Sequence, residues 1–150
     1  MAKAVRNAGT PWLMAGATLS LVAALLHIGV IIGGPHWYRF FGAPEQYAVA
    51  ASRGSIIPAL VTSGIAAVLA IWAGYAASGA GLLPRLPLLR TALVLITAIY
   101  LARGLLIVPV FLNVPYRQGA FDYWSSAIVL LYGVVHAVGL WRSWTALGPP

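Results

Sequence analysis

Four long apolar runs, separated by short segments that hold most of the proline, glycine and charged positions, dominate the chain. They cover residues 12–34, 54–77, 91–112 and 123–144. Each approaches or exceeds the roughly 20 helical residues that cross about 30 Å of hydrocarbon. Local signals mark their ends. Thr10-Pro11 reads as an N-cap followed by proline at the first helical position. Pro58 falls in the first turns of the second run, where it opens or kinks the helix. Pro109 lies near the end of the third, and Asp122 is placed to cap the fourth. The pattern predicts an all-α fold: a polytopic membrane protein made of one four-transmembrane-helix bundle spanning residues 1–150.

Composition turns that pattern into a statement about solvent. Of 150 residues, 61% are hydrophobic and 7% charged, whereas a soluble domain carries roughly a quarter charged residues. Neither a water-soluble fold nor a disordered chain fits. The net charge of +7 comes from basic residues scattered between apolar runs, the pattern of orientation signals and not of a nucleic-acid face. The absence of cysteine excludes disulfides, dithiol redox chemistry and cysteine-ligated metals. Lys3 and Arg6 before the first run suggest a signal peptide, but that run is about twice the usual apolar length, which favours a retained anchor.

Placing both termini in the cytoplasm puts Lys3, Arg6, Arg85, Arg90 and Arg142 on that side. Arg39, Arg53, Arg117, Glu45 and Asp122 then lie on the other. Aromatic residues mark both boundaries: Trp12, Trp72, Tyr75, Trp141 and Trp144 inside, Trp37, Tyr38, Phe40, Phe41, Tyr47, Phe111, Tyr116, Tyr123 and Trp124 outside. Residues 78–89 (SGAGLLPRLPLL) form a plain cytoplasmic linker. Residues 35–52 (PHWYRFFGAPEQYAVAAS) form a longer aromatic outer loop, with a short helix expected over 44–51 that lies along the interface or covers the bundle mouth. The loop lengths imply two hairpins.

Within lipid, helices associate by close packing of small residues. Ser63, Ala67, Ala70, Gly74 and Ala77 form such a stripe on the second run, and Gly29-x-x-x-Gly33 ends the first. They serve a monomeric bundle or a homodimer equally, or a larger membrane complex.

The polar residues inside the runs carry the candidate chemistry. Arg103 near mid-bilayer costs about 2.5–3.5 kcal/mol on insertion scales, and Glu45 and Asp122 are the only carboxylates in the chain. His27 and Arg103 rise roughly 22 and 18 Å from the cytoplasmic boundary. With Arg53, Glu45, Asp122 and His36 they could line an outer polar pocket for an amphipathic or anionic lipid-like ligand. Alternatively, His27 bonds a backbone carbonyl across helices and Arg103 pairs with one acid. Ser125, Tyr132 and His136 share a second polar stripe, readable as an interhelical hydrogen-bond seam. His136 lies roughly 10–12 Å from the level of His27, which disfavours a haem held between them. No catalytic residue or metal site has recognisable spacing, and no cofactor is expected.

The segments HWYRFFGAPEQYA (36–48) and PLLRTALVLITAIYLARGL (87–105) resemble small bacterial four-helix inner-membrane proteins of unassigned function. The resemblance covers most of the chain and implies multi-pass placement in a bacterial inner membrane, with no catalytic residues to carry over. The expected function is that of a binding or accessory protein whose partners are membrane lipids and not nucleic acid. The alternative is a membrane-embedded enzyme or a haem or quinone redox protein using His27 and His136.

Overall fold

A computed structural model describes residues 7–105 and 120–148. It is helical throughout, with α1 (Thr10–Phe40), α2 (Glu45–Ser52), α3 (Ile57–Gly79), α4 (Leu89–Leu105) and α5 (Ala120–Arg142) in chain order. Among the described residues, α1, α3 and α5 are long and apolar enough to cross a membrane. The 17 residues of α4 cover only part of the third predicted run. Residues 106–112 of that run, with Pro109 and Phe111, lie outside the described residues, as do Lys3, Arg6, Tyr116 and Arg117.

The helix boundaries follow local chemistry closely. Helix α1 starts at Thr10 with Gly9 at the cap position and Pro11 in the first turn. Thr10 Oγ1 accepts the Asn7 amide at 3.0 Å and Asn7 Oδ1 accepts the Gly9 amide at 2.8 Å. The cap is thus one residue earlier than expected. Asp122 lies inside the first turn of α5, where its charge complements the helix dipole, and not at the cap. The largest departure is at the other end of α1. The run predicted to stop at residue 34 continues to Phe40 across a break at Gly34 (φ 64°, ψ −149°). That conformation is open essentially to glycine alone, and Pro35 removes the next backbone donor.

Two antiparallel pairs make the bundle, α1 with α3 and α4 with α5; α1 against α5 joins them, and α3 touches α4 more sparsely. The core has three layers. Leu13, Ala17, Ala76, Leu89, Leu93 and Leu147 fill the end where the chain starts and finishes. Ala24, Leu69, Ile96, Tyr100 and Tyr132 fill the middle. Val30, Tyr38 and Ala48 close the end carrying α2. Trp72, expected in an interfacial belt, packs on the middle layer, and Tyr75, expected beside it, packs on both that layer and the one at the chain ends. The outer surface is covered by large apolar side chains such as Leu25, Ile32, Leu60, Ile71 and Ile99, a surface stable in lipid and not in water.

Small residues set the close approaches, although not those anticipated. Ser63, Ala67 and Ala70 face outward, and the packed face of α3 is Thr62, Ala66, Leu69, Ala73 and Ala76. Gly33 seats the Trp37 indole of its own helix, with Gly29 beneath it. Helices α4 and α5 cross at backbone contact. A Cβ on Gly104 would stand 2.6 Å from Leu130 Cα, and one on Gly133 2.9 Å from the Leu101 amide nitrogen. At the chain-end face, Arg85 donates to the Ala146, Leu147 (2.6 Å) and Gly148 carbonyls, and Arg90 to the Trp144 carbonyl at 2.8 Å. Basic side chains thereby satisfy carbonyls at and beyond the end of α5.

Gly104→Ala is expected to lower unfolding stability in detergent by about 1–3 kcal/mol through overpacking against backbone. Gly64→Ala, where a Cβ meets nothing within 4 Å, serves as the control. Equal melting of both variants and the parent chain would contradict the close crossing.

Candidate functional site: a cleft under the α1 break

The Gly34–Pro35 break redirects the last turn of α1 towards α2 and α3. Tyr38 is buried there and packs with Val30 and Ala48. Its hydroxyl accepts a hydrogen bond from Thr62 Oγ1 of α3 at 3.3 Å. Phe41 continues the turn, edge-on to Phe40 and Phe121. Beneath this hook lies a cleft of about 350 Å³. Its walls come from both sides of the break (His27 and Val30, then Tyr38 and Phe41), from Pro44 and Tyr47 at α2, and from Val61, Thr62 and Ile65 on α3. The volume lies at the lower end of the range for small-molecule sites.

His27 is half-buried on this wall. Its Nδ1–H donates to the Ala23 carbonyl at 2.7 Å, one turn back on its own helix. In the neutral ring, Nε2 is then an acceptor only. Tyr38, having accepted from Thr62, retains its own hydroxyl proton for donation. Among the described residues, no Lys, Arg, Asp or Glu lines the cleft.

The outer polar cluster expected from the sequence is therefore divided. His27 alone of its members lines the cleft. Arg103 donates to Ser126 Oγ at 3.0 Å and Ser125 Oγ at 3.2 Å on α5, and Ser125 Oγ donates on to the Asp122 carbonyl. Glu45 is held by Arg39, with Nη2 2.8 Å from Oε1 and Nε bonded to both carboxylate oxygens. Arg39 is the penultimate residue of α1 and Glu45 opens α2, so this bidentate pair ties the hook to the short helix. Arg53 and His36 are exposed, His36 beside Trp37, Phe40 and Phe41.

The second polar stripe also separates. Ser125 serves Arg103, while Tyr132 and His136 enter the core. His136 is fully buried, donates from Nδ1 to the Tyr132 carbonyl at 2.8 Å, and packs against Gly16, where a Cβ would stand 2.9 Å from Cε1. Its Nε2 has no partner among the described residues. Tyr100, which the sequence reading passed over, completes this group. Its ring centroid is 5.1 Å from that of His136, and its hydroxyl shares a 2.9 Å hydrogen bond with Ser20. Ser20, Tyr100 and Ser126 are polar residues inside apolar runs and were visible on that ground.

Gly16 and His27 stand eleven residues apart on α1, about 16 Å along the axis. Since His136 packs at Gly16, the two imidazoles do not fit opposite faces of one iron, which requires about 4 Å. The pair therefore does not suit a bis-histidine haem. No family model, curated protein or solved structure matches this chain.

The Glu45 carboxyl titrates below its usual value, chiefly because Arg39 hydrogen-bonds the ionised form. A depressed carboxylate supports the fold above its unfolded pKa and ceases to as pH falls through the folded one. NMR titration is expected to show a lowered Glu45 midpoint that rises towards the ordinary carboxylate range in Arg39→Gln and in high salt. Identical midpoints in the two proteins would contradict the pair.

Proposed function

We propose that this chain is a multi-pass binding or accessory protein of a bacterial inner membrane, with four spans and both ends in the cytoplasm. Its cleft under the α1 break receives an amphipathic ligand from the lipid phase. The observation that carries the reading is the cleft itself, a largely apolar chamber furnished with the His27 ring and the Tyr38, Tyr47 and Thr62 hydroxyls and bounded by helices whose outer faces suit hydrocarbon. The third of the four proposed spans is the apolar run 91–112, whose first part lies in α4. Arg85, Arg90 and Arg142 belong to the end where the chain starts and finishes. Arg39, Arg53 and Glu45 belong to the end carrying the hook and α2. The positive-inside rule favours a cytoplasmic assignment for the first, and the cleft then opens towards the outer leaflet.

The charges sharpen the earlier expectation of an anionic ligand. Arg103 is engaged by two serines of α5 and acts as a lock between α4 and α5. Among the described residues the cleft lining carries no Lys, Arg, Asp or Glu, and an uncharged head group suits it better than an anion.

The cysteine-free chain permits a direct test of orientation. Gln46→Cys is expected to react with a membrane-impermeant maleimide in intact cells, and Leu82→Cys only after permeabilisation; the reverse pattern would overturn the orientation. Val61, on the cleft rim, tests the site. Val61→Trp is expected to fill the cleft and to remove ligand retained in native mass spectra, with melting little changed. Undiminished retention would place the ligand elsewhere.

A further inference from the structure

The cleft's hydrogen-bonding groups specify the head group, on the reading that the cleft is a ligand site. Three constraints act together. The Nδ1–H of His27 is committed to the Ala23 carbonyl, so a neutral ring offers the lone pair of Nε2 and nothing else. Tyr38 Oη is occupied as an acceptor by Thr62, so its remaining capacity includes its own proton. Among the described residues, the rest of the lining is apolar apart from Thr62, the Tyr47 hydroxyl and the loop backbone.

Each ligand class meets these constraints differently. A carboxylate or phosphate would meet no Lys or Arg in the wall, and its oxygens would face the His27 lone pair. An ammonium group would meet no carboxylate. A wholly apolar guest would leave Nε2 without a donor in an apolar site, which costs on the order of 1–3 kcal/mol for a buried polar group. A ketone or ester can accept from Tyr38 but has no proton for His27. A hydroxyl satisfies both walls at once, since it donates one hydrogen bond and accepts others.

We propose that the cleft binds an alcohol or phenol carrying an apolar tail, its O–H donating to His27 Nε2 and its oxygen accepting from Tyr38. A cavity of 150 Å³ holds benzene, so about 350 Å³ accommodates on the order of a dozen non-hydrogen atoms by the same ratio. That is enough for a ring or short chain beside the head, with any longer tail leaving towards lipid.

The test compares two guests of equal size, para-hexylphenol and para-hexyltoluene. Their affinities for the detergent-solubilised full chain are measured by calorimetry and corrected for partition into protein-free micelles. The phenol is expected to bind about 25-fold tighter, about five-fold for each of its two neutral hydrogen bonds. His27→Ala is expected to cut the ratio to about five-fold, the share left to Tyr38, and Val61→Trp to abolish binding of both guests. Equal affinities for the parent chain, with both abolished by Val61→Trp, would overturn the hydroxyl assignment and leave the cleft as a ligand site. Tighter binding of para-hexylbenzoate than of the phenol would overturn it in favour of an anion. Binding of both guests unaffected by Val61→Trp would overturn the cleft reading itself. The comparison in the parent chain needs no variant to fold.

Discussion

Inside hydrocarbon, a polar group has no water to turn to, so each must find its partner within the protein. The backbone meets this demand by forming helices, and several polar side chains meet it on the same helix. Thr18, His27, Thr97 and His136 each donate to the carbonyl four residues back. Polar positions that looked like interhelical glue are thus largely satisfied one turn away. Between helices, Ser20 bonds Tyr100, Thr62 bonds Tyr38 and Arg103 bonds two serines, and close packing supplies the rest. Gly104 and Gly133 let α4 and α5 touch at the backbone, while Gly16 admits the His136 ring between α1 and α5.

The same constraint explains why the cleft lies where it does. A helix in lipid can be interrupted only where neighbouring protein covers the exposed backbone groups. The Gly34–Pro35 break stands near the end of a predicted span. Beyond it, the Arg39–Glu45 pair, the Tyr38–Thr62 hydrogen bond and the Trp37 indole on Gly33 fix the redirected turn. The break costs backbone freedom and turns the chain back over α3. The hook that results brings hydroxyls and an imidazole to the edge of an apolar chamber, a placement that straight helices would not give.

Charge follows two separate logics at the two ends. Arg85 and Arg90, readable as orientation signals, also bond carbonyls at the close of α5, and Arg90 lies 4.6 Å from the Trp144 ring centroid. Arg103 was the most costly position in the sequence. Two adjacent serines on the facing helix receive it, a pairing that depends on the register of α4 against α5.

What the sequence determined by itself is whatever depends on neighbours within a few turns. The all-helical class, the short helix after Pro44, the proline-led starts of α1 and α3 and the pairing of hairpins all follow from apolar run length, turn residues and loop length. Helix rotation could not be read this way. Several faces of α3 carry small residues, so the stripe beginning at Ser63 looked as suitable as the packed face beginning at Thr62. The partners of Arg103 and Glu45 were equally beyond reach, because a charged side chain accepts whichever group the tertiary fold brings within about 3 Å. Tertiary structure alone decided that Glu45 meets Arg39, that Arg103 meets two serines, and that His27 faces a chamber with Tyr38. The reason is geometric: spacing along a helix sets the height of a residue, whereas rotation and the bend at Gly34 set what stands opposite.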